Sequence, residues 1–429
     1  MGNSQSTKLM PSPKVLLINI AALAPSHMAH CPTLSRLARE GWSAPMKPVF
    51  PAVTCTAQAT LTTGKPPAEH GIVANGLFDR DTLTVGFWEQ PARLVLAPRI
   101  WDLLKQRNPD ATCAALFWQH TLYASADVIV TPRPIHLEDG MIQWCYSKPA
   151  GYYEDLCRTH GPFKLQSYWG PLAGIGSSRW ITNAAVHTLR AKQPSLTLVY
   201  LPHLDYASQK HGPQSAQVLR GLKQVDELLQ QLVAAAAPET TIFVVSEYSM
   251  TPVTGAILPN QLLRRADLLA VREIKGQEFL DIERSDAFAM VDHQVAHIYC
   301  KPAAIAAARD ALAAVPGVEF RAPEHPRSGE LVAVAPPDKW FAYYWWLDAK
   351  RAPSFARRID IHRKPGYDPC ELWFNWPLPR VPLKPELVKG SHGRDDVPAF
   401  FAVRGPQAPA RVAQAAMVDV AGWVLDCFR

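Results

Sequence analysis

Three nearly unbroken apolar runs of strand length constrain this chain most: Lys14-Val15-Leu16-Leu17-Ile18-Asn19-Ile20, Leu196-Thr197-Leu198-Val199-Tyr200-Leu201 and Thr240-Thr241-Ile242-Phe243-Val244-Val245-Ser246. A strand with one wet face alternates apolar and polar residues; a continuous run marks a strand covered on both faces. Such strands belong to parallel sheets, whose long connections are helices lying above and below. Helical stretches do separate the runs. Pro32 to Arg39 stops at Gly41, Ser178 to Lys192 lines up Trp180, Ile181, Ala184, Ala185, Thr188 and Leu189 on one face, and Gln217 to Ala236 forms a third. The expected fold class is α/β, with a mostly parallel sheet and helices on both faces. Polar residues follow the runs, His203-Leu204-Asp205 after the second and Glu247-Tyr248-Ser249 after the third. That C-terminal edge is where open parallel sheets build ligand sites.

With 429 residues the chain can form one large α/β domain with insertions, or two domains, and its 48% hydrophobic content supplies an ample core. The net charge of +6 is modest and scattered, which fits small anionic substrates and argues against nucleic acid. Eight cysteines occur without CxxC pairs, arguing against a zinc ribbon or a disulfide framework. No stretch approaches the roughly 18 apolar residues of a transmembrane segment. The start, Met-Gly-Asn-Ser-Gln-Ser, matches the N-myristoylation pattern and lacks the apolar core of a secretory signal, so the protein is expected to be cytoplasmic. From 251 to 385 strands such as Ala287 to Val291 and His297 to Cys300 surround one alanine-rich helix, a mixture expected of a smaller α+β subdomain. The expected division is a polar tail at 1–13, a core at 14–250 and 386–429, and a cap at 251–385. Residues 76 to 180 are rich in Trp, Tyr and Pro, which suits core packing or the wall of a pocket for a ring-bearing substrate. The oligomeric state is left open.

The chemistry centres on Val49-Phe50-Pro51-Ala52-Val53-Thr54-Cys55-Thr56-Ala57-Gln58-Ala59-Thr60. At Thr54 proline and β-branched residues give way to a helix-compatible run from Thr56 to Thr63, closed by Gly64. A hydroxyl there lies beside free backbone N–H groups at a positive helix end, a natural place to meet an anion. The plain structural alternative is a capping threonine. Phe50 to Thr54, followed by Thr62-Thr63-Gly64-Lys65-Pro66-Pro67-Ala68-Glu69-His70-Gly71-Ile72-Val73-Ala74-Asn75, resembles the nucleophile segment of the nucleotide pyrophosphatase/phosphodiesterase family within the alkaline phosphatase superfamily. The resemblance implies that Thr54 attacks phosphorus and Asn75 binds a phosphoryl oxygen.

It also implies an alkaline-phosphatase-like fold with an inserted cap, and two zinc ions that turn the threonine into an alkoxide. Further family words recur in order. Asp205 falls on a metal-ligand position, Glu247 replaces an aspartate ligand, and His392 lies in the late Gly390-Ser391-His392-Gly393 word. Three ligand positions are lost, to Ala21, Gln209 and Tyr248. Two His- and Asp-rich strings offer repair: Asp292-His293-Gln294-Val295-Ala296-His297, and Asp360-Ile361-His362-Arg363-Lys364-Pro365-Gly366-Tyr367-Asp368. Being nearer His392 in sequence, His362 is preferred over His293 as a ligand, with Arg363 and Lys364 beside it for an anionic substrate. Cys55 is a subordinate candidate nucleophile.

The expected function is therefore hydrolysis of a small phosphate ester or diester. Thr54 is the nucleophile, Asn75, Arg363 and Lys364 bind substrate, and Asp205, Glu247, His392 and His362 hold a divalent metal. That metal is expected to be zinc, with fewer than two fully occupied sites. The rivals are a non-hydrolytic protein that binds a phosphorylated or aromatic metabolite, and an enzyme of a different group transfer.

Overall fold

The computed structural model describes residues 13–138, 140–358, 373–374 and 380–429. Its main sheet has nine strands: β1 (Val15–Ile20), β2 (Trp42–Lys47), β3 (Cys113–Leu116), β4 (Val128–Pro132), β5 (Cys145–Lys148), β6 (Leu196–Leu201), β7 (Thr241–Val245), β8 (Ala399–Arg404) and β9 (Ala415–Ala416). They lie in the order β9-β2-β8-β7-β1-β6-β3-β4-β5. The five central strands from β7 to β4 run parallel. Antiparallel β8 and β5 flank them.

Every residue of β1, β6 and β7 is buried. Alternate side chains of a strand face opposite ways, so both faces of the sheet are covered, which is what the unbroken apolar runs require. One group of helices joins Pro32–Glu40, Ile175–Ala191 and Ala216–Ala235; another joins Thr54–Thr63, Ile100–Arg107 and Val420–Asp426. The alkaline-phosphatase-like α/β class expected from the sequence is the class observed. Strand β8 was not foreseen. It enters the sheet beside β7 after a long excursion, and its Ala-Phe-Phe-Ala-Val run says nothing of direction or neighbour.

The excursion contains a second, antiparallel sheet in the order Ala287–Asp292, Val295–Cys300, Leu331–Val334, Glu319–Arg321, with helices Pro259–Arg265 and Ile305–Ala313 against it. It has its own apolar cluster, including Met290, Ile298, Leu312 and Phe341. Its first two strands meet at a tight turn where His293 adopts φ 57°, unfavourable for a residue with a Cβ. Several bonds hold that turn. The Gln294 N–H donates to the His392 carbonyl at 2.9 Å, and the Phe341 N–H to the His293 carbonyl at 2.7 Å. Gln294 Nε2 donates to the carbonyls of Pro337 and Lys339. Strain of this kind persists where surrounding bonds over-determine it. Here they press the turn against the edge of the main sheet.

Candidate active site

Strands β7, β1 and β6 lie side by side in register, Asn19 opposite both Val245 and Tyr200. Their C-terminal ends deliver Glu247 and Tyr248, Ala21, and helix α2 (His203–His211) to one edge. Helix α1 (Thr54–Thr63) points its N-terminus at the same place. Val53 is the residue that caps α1, in an extended conformation and without a side-chain bond; Thr54 is already inside the helix. The capping alternative for Thr54 therefore fails. Its hydroxyl instead lies 3.2 Å from the Tyr248 hydroxyl and 3.4 Å from Glu247 Oε2.

Tyr248 donates its phenolic proton to Asp205 Oδ1 at 3.0 Å, so the one Thr54 hydrogen can turn either to the phenolic oxygen or to Glu247 Oε2. Asp205 Oδ2 accepts from Gln209 Nε2 at 2.7 Å, one turn along α2. Glu247 Oε1 accepts from Gln58 Nε2 at 2.6 Å and Asn19 Nδ2 at 2.9 Å. The Gln58 amide is oriented by its own Oε1, which takes the Gln119 N–H at 2.7 Å. Burial pushes the Glu247 carboxyl up to about 8; bonds from Gln58 and Asn19 oppose the shift and the Asp205 charge adds to it. Burial, followed by the Asp205 and Glu247 charges, also raises the Tyr248 phenol well above its usual value.

The imidazole of His392 completes the floor. Its Nδ1–H donates to the Ala52 carbonyl at 2.9 Å, leaving Nε2 unprotonated 3.9 Å from Asp205 Oδ1. Burial and neighbouring His293 hold the ring well below its ordinary pKa, so it is neutral. Tyr248 lies on one face, 3.5 Å away and 3° from parallel, and the His293 ring centre is 3.8 Å off. Asn75 sits beside Thr54 by way of the backbone: its Oδ1 accepts the Cys55 N–H at 2.8 Å. Its Nδ2 and N–H both donate to Asp292, at 3.0 and 2.7 Å. The Cys55 side chain packs in an apolar cluster with Ala59, Ile72 and Val95.

The chain matches the family of type I phosphodiesterases/nucleotide pyrophosphatases over residues 15–368. The chain belongs to that family. Ectonucleotide pyrophosphatase/phosphodiesterase 1 of Saccharomyces cerevisiae is 29% identical over 246 residues; the match covers 52% of this chain and 30% of that protein's length. Among solved structures, phosphonoacetate hydrolase from Sinorhizobium meliloti 1021 superposes with a TM-score of 0.65 at 16% identity, covering 98% of this chain and 96% of that one. Murine ectonucleotide pyrophosphatase/phosphodiesterase 5 gives 0.59 at 18%, covering 95% and 93%. At those identities the structures speak for the fold.

The metal pair that the family resemblance implies does not fit the described donors. Ala21 has no donor atom, and the Tyr248 ring occupies a place the resemblance gives to an imidazole. Asp205 and Glu247 turn their oxygens to N–H and O–H donors of the protein itself. His392 alone keeps a metal-ready tautomer, Nε2 outward and Nδ1–H on a carbonyl. Among the described residues no three His, Cys, Asp or Glu side chains are grouped to hold a metal ion. Asp205, Glu247 and His392, expected from the sequence to be metal ligands, meet at this edge, and amide and phenol donors take the carboxylate oxygens. His362, Arg363 and Lys364 lie outside the described residues. Of the two repair strings, the one ranked second supplies groups seen at the site, Asp292 and His293.

Asn19 and Gln58 escaped the sequence reading, which weighed Asp292 and His293 only as the second-ranked string. Asn19 had a signal, as the one amide inside a run otherwise apolar, and Gln58 had another, one helical turn from Thr54. Two surface hollows, of about 240 Å³ beside Lys14, Arg190 and Thr240 and about 300 Å³ beside His203, Lys210 and Arg220, do not include Thr54 in their lining. No described helix is long and apolar enough to cross a membrane.

The approach of His392 depends on Gly390. A Cβ there would lie 2.3 Å from the Ser208 carbonyl oxygen of α2, the helix that carries Asp205. Gly390→Ala is expected to force the two segments apart and cost about 1–3 kcal/mol, read as a lowered melting temperature together with reduced turnover. A variant as stable and active as the wild type would show that this contact does not position His392.

Proposed function

We propose that this chain cleaves a phosphoester bond of a small phosphate ester or diester, with Thr54 as the nucleophile. One observation carries the reading. The Thr54 hydroxyl leads a helix it does not cap, and is held between a phenol and a buried carboxylate. In the first half-reaction Thr54 Oγ1 bonds to phosphorus as the bond to the leaving oxygen breaks, giving a phosphothreonine. The Thr54 proton passes to Glu247 Oε2 at 3.4 Å, a carboxylate whose pKa near 8 matches the task of a general base. In the second half-reaction a water oxygen bonds to phosphorus as the bond from phosphorus to Thr54 Oγ1 breaks; Glu247 returns its proton to Thr54 Oγ1, and the proton of the attacking water leaves with the phosphate product. The positive end of α1 favours the anion, and the second Nδ2 hydrogen of Asn75 is free by valence to donate to a phosphoryl oxygen. No step runs through a metal ion, because the described donors do not fit one.

The relatives support the substrate class. The Sinorhizobium hydrolase was solved with phosphonoacetate and with phosphonoformate, and an inactive threonine-to-alanine variant of the murine protein with AMP. Arg363 and Lys364 are proposed to meet the remaining phosphate charge, and 251–385 to act as a cap over the site. The test is direct: the full chain is assayed against a generic aryl phosphodiester, the matching monoester and an aryl phosphonate. Release of the phenol from at least one supports the reading. Failure with all three across pH 6–10, with and without divalent cations, sinks it.

A further inference from the structure

We propose that the Tyr248 hydroxyl takes the bridging position at which a metal ion would activate Thr54, so that this site works through a phenol and holds no ion there. The proposal rests on the reading of Thr54 as the nucleophile. The phenolic oxygen lies 3.2 Å from Thr54 Oγ1 and 3.0 Å from Asp205 Oδ1. A zinc ion ligated by Thr54 or Asp205 would need to come within about 2.0–2.2 Å of their oxygens, and the phenolic oxygen already stands in hydrogen-bond contact with both. Tyr248 cannot readily swing aside. It is 2% exposed, and its ring lies flat on His392, itself pinned to the Ala52 carbonyl.

The surrounding donors agree with this arrangement. Asn19 and Gln58 turn N–H groups to Glu247, and Gln209 turns one to Asp205, so protein dipoles meet carboxylates that a cation would otherwise meet. Tyr248 is thus a positioning residue. It donates its own proton to Asp205 and holds its oxygen 3.2 Å from Thr54 Oγ1, which fixes the hydroxyl in place while its one hydrogen turns to Glu247 Oε2 for removal.

The experiment is metal content of the full chain, purified without chelator, loaded with excess zinc and dialysed, read by elemental analysis beside melting curves. The expected result is well under one equivalent of zinc and no zinc-dependent shift in melting temperature. The double substitution Ala21→Asp with Tyr248→His returns two donors, and is expected to raise retained zinc to about one equivalent. Tyr248→Phe keeps the ring stack but removes the bridging oxygen; it is expected to remain zinc-free and lose roughly 10²-fold in kcat. One or more tight equivalents in the wild type, abolished by Asp205→Ala, His392→Ala or His362→Ala, would overturn the proposal. So would a folded double variant that retains no more zinc than the wild type, or an unchanged kcat in Tyr248→Phe. Zinc content is read without turnover, so failure of the hydrolase reading leaves a separate signature.

Discussion

Thr54→Ala is expected to abolish turnover of an aryl phosphodiester, by roughly four orders of magnitude or more, while the protein still folds. The hydroxyl contributes two long contacts, at 3.2 and 3.4 Å, and no cap. Its loss should therefore cost only about 1 kcal/mol of stability, partly offset by the better helix propensity of alanine. Steady-state assays and thermal melts read the two quantities separately. In the wild type, rapid quenching should trap a phosphothreonine at position 54 that the variant cannot form. Turnover surviving in Thr54→Ala would move the nucleophile to an activated water. Wild-type protein that binds a phosphorylated ligand without converting it, with affinity sensitive to Asn75→Ala, would favour the binding-protein alternative.

The second large effect concerns pH. Glu247 is buried, and its folded pKa of about 8 exceeds the ordinary 4.5. Ionising it in place costs free energy. The stability tied to the neutral form is fully present below about pH 4.5 and is lost as pH rises through about 8. At about 1.4 kcal/mol per unit, the whole interval corresponds to about 5 kcal/mol. Glu247→Gln keeps an oxygen for Asn19 and Gln58 and cannot ionise, so its stability should stay flat where the wild type declines. The variant is expected to be the more stable protein at pH 9. It should also be inactive, because it has no base. In the wild type, kcat/KM should rise with a midpoint around pH 8, as Glu247 loses its proton, to a plateau above it. Denaturant melts from pH 5 to 9 and a pH–rate profile test both halves. Parallel stability curves for the two proteins would show that Glu247 is not a buried acid of raised pKa.

The role of Asp292 shows where sequence reasoning stops. It receives both the backbone and side-chain N–H groups of Asn75, a residue more than two hundred positions away. Nothing in the string Asp292-His293-Gln294 announces that a hairpin tip from a second sheet will reach the edge of the first. Proximity to His392 along the chain favoured the other string. Proximity in space, through the Gln294 bond to the His392 carbonyl, picked out this one.

By itself the sequence determined the parallel core. The unbroken apolar runs at 15–20, 196–201 and 241–245 mark central strands covered on both faces, and the polar residues that follow them, Asp205 and Glu247 among them, fall at one edge. Local composition suffices for that, because burial on both faces leaves a mark at each position. What the site does with those residues was decided by the tertiary structure. Whether Asp205 and Glu247 face a cation or an N–H depends on Asn19, Gln58, Gln209 and Tyr248 approaching from four elements at once. An amide or a phenol reads the same in sequence whether it points to solvent or to a carboxylate. Only the packing of helix ends on strand ends, with atoms at about 3 Å, assigns its donors.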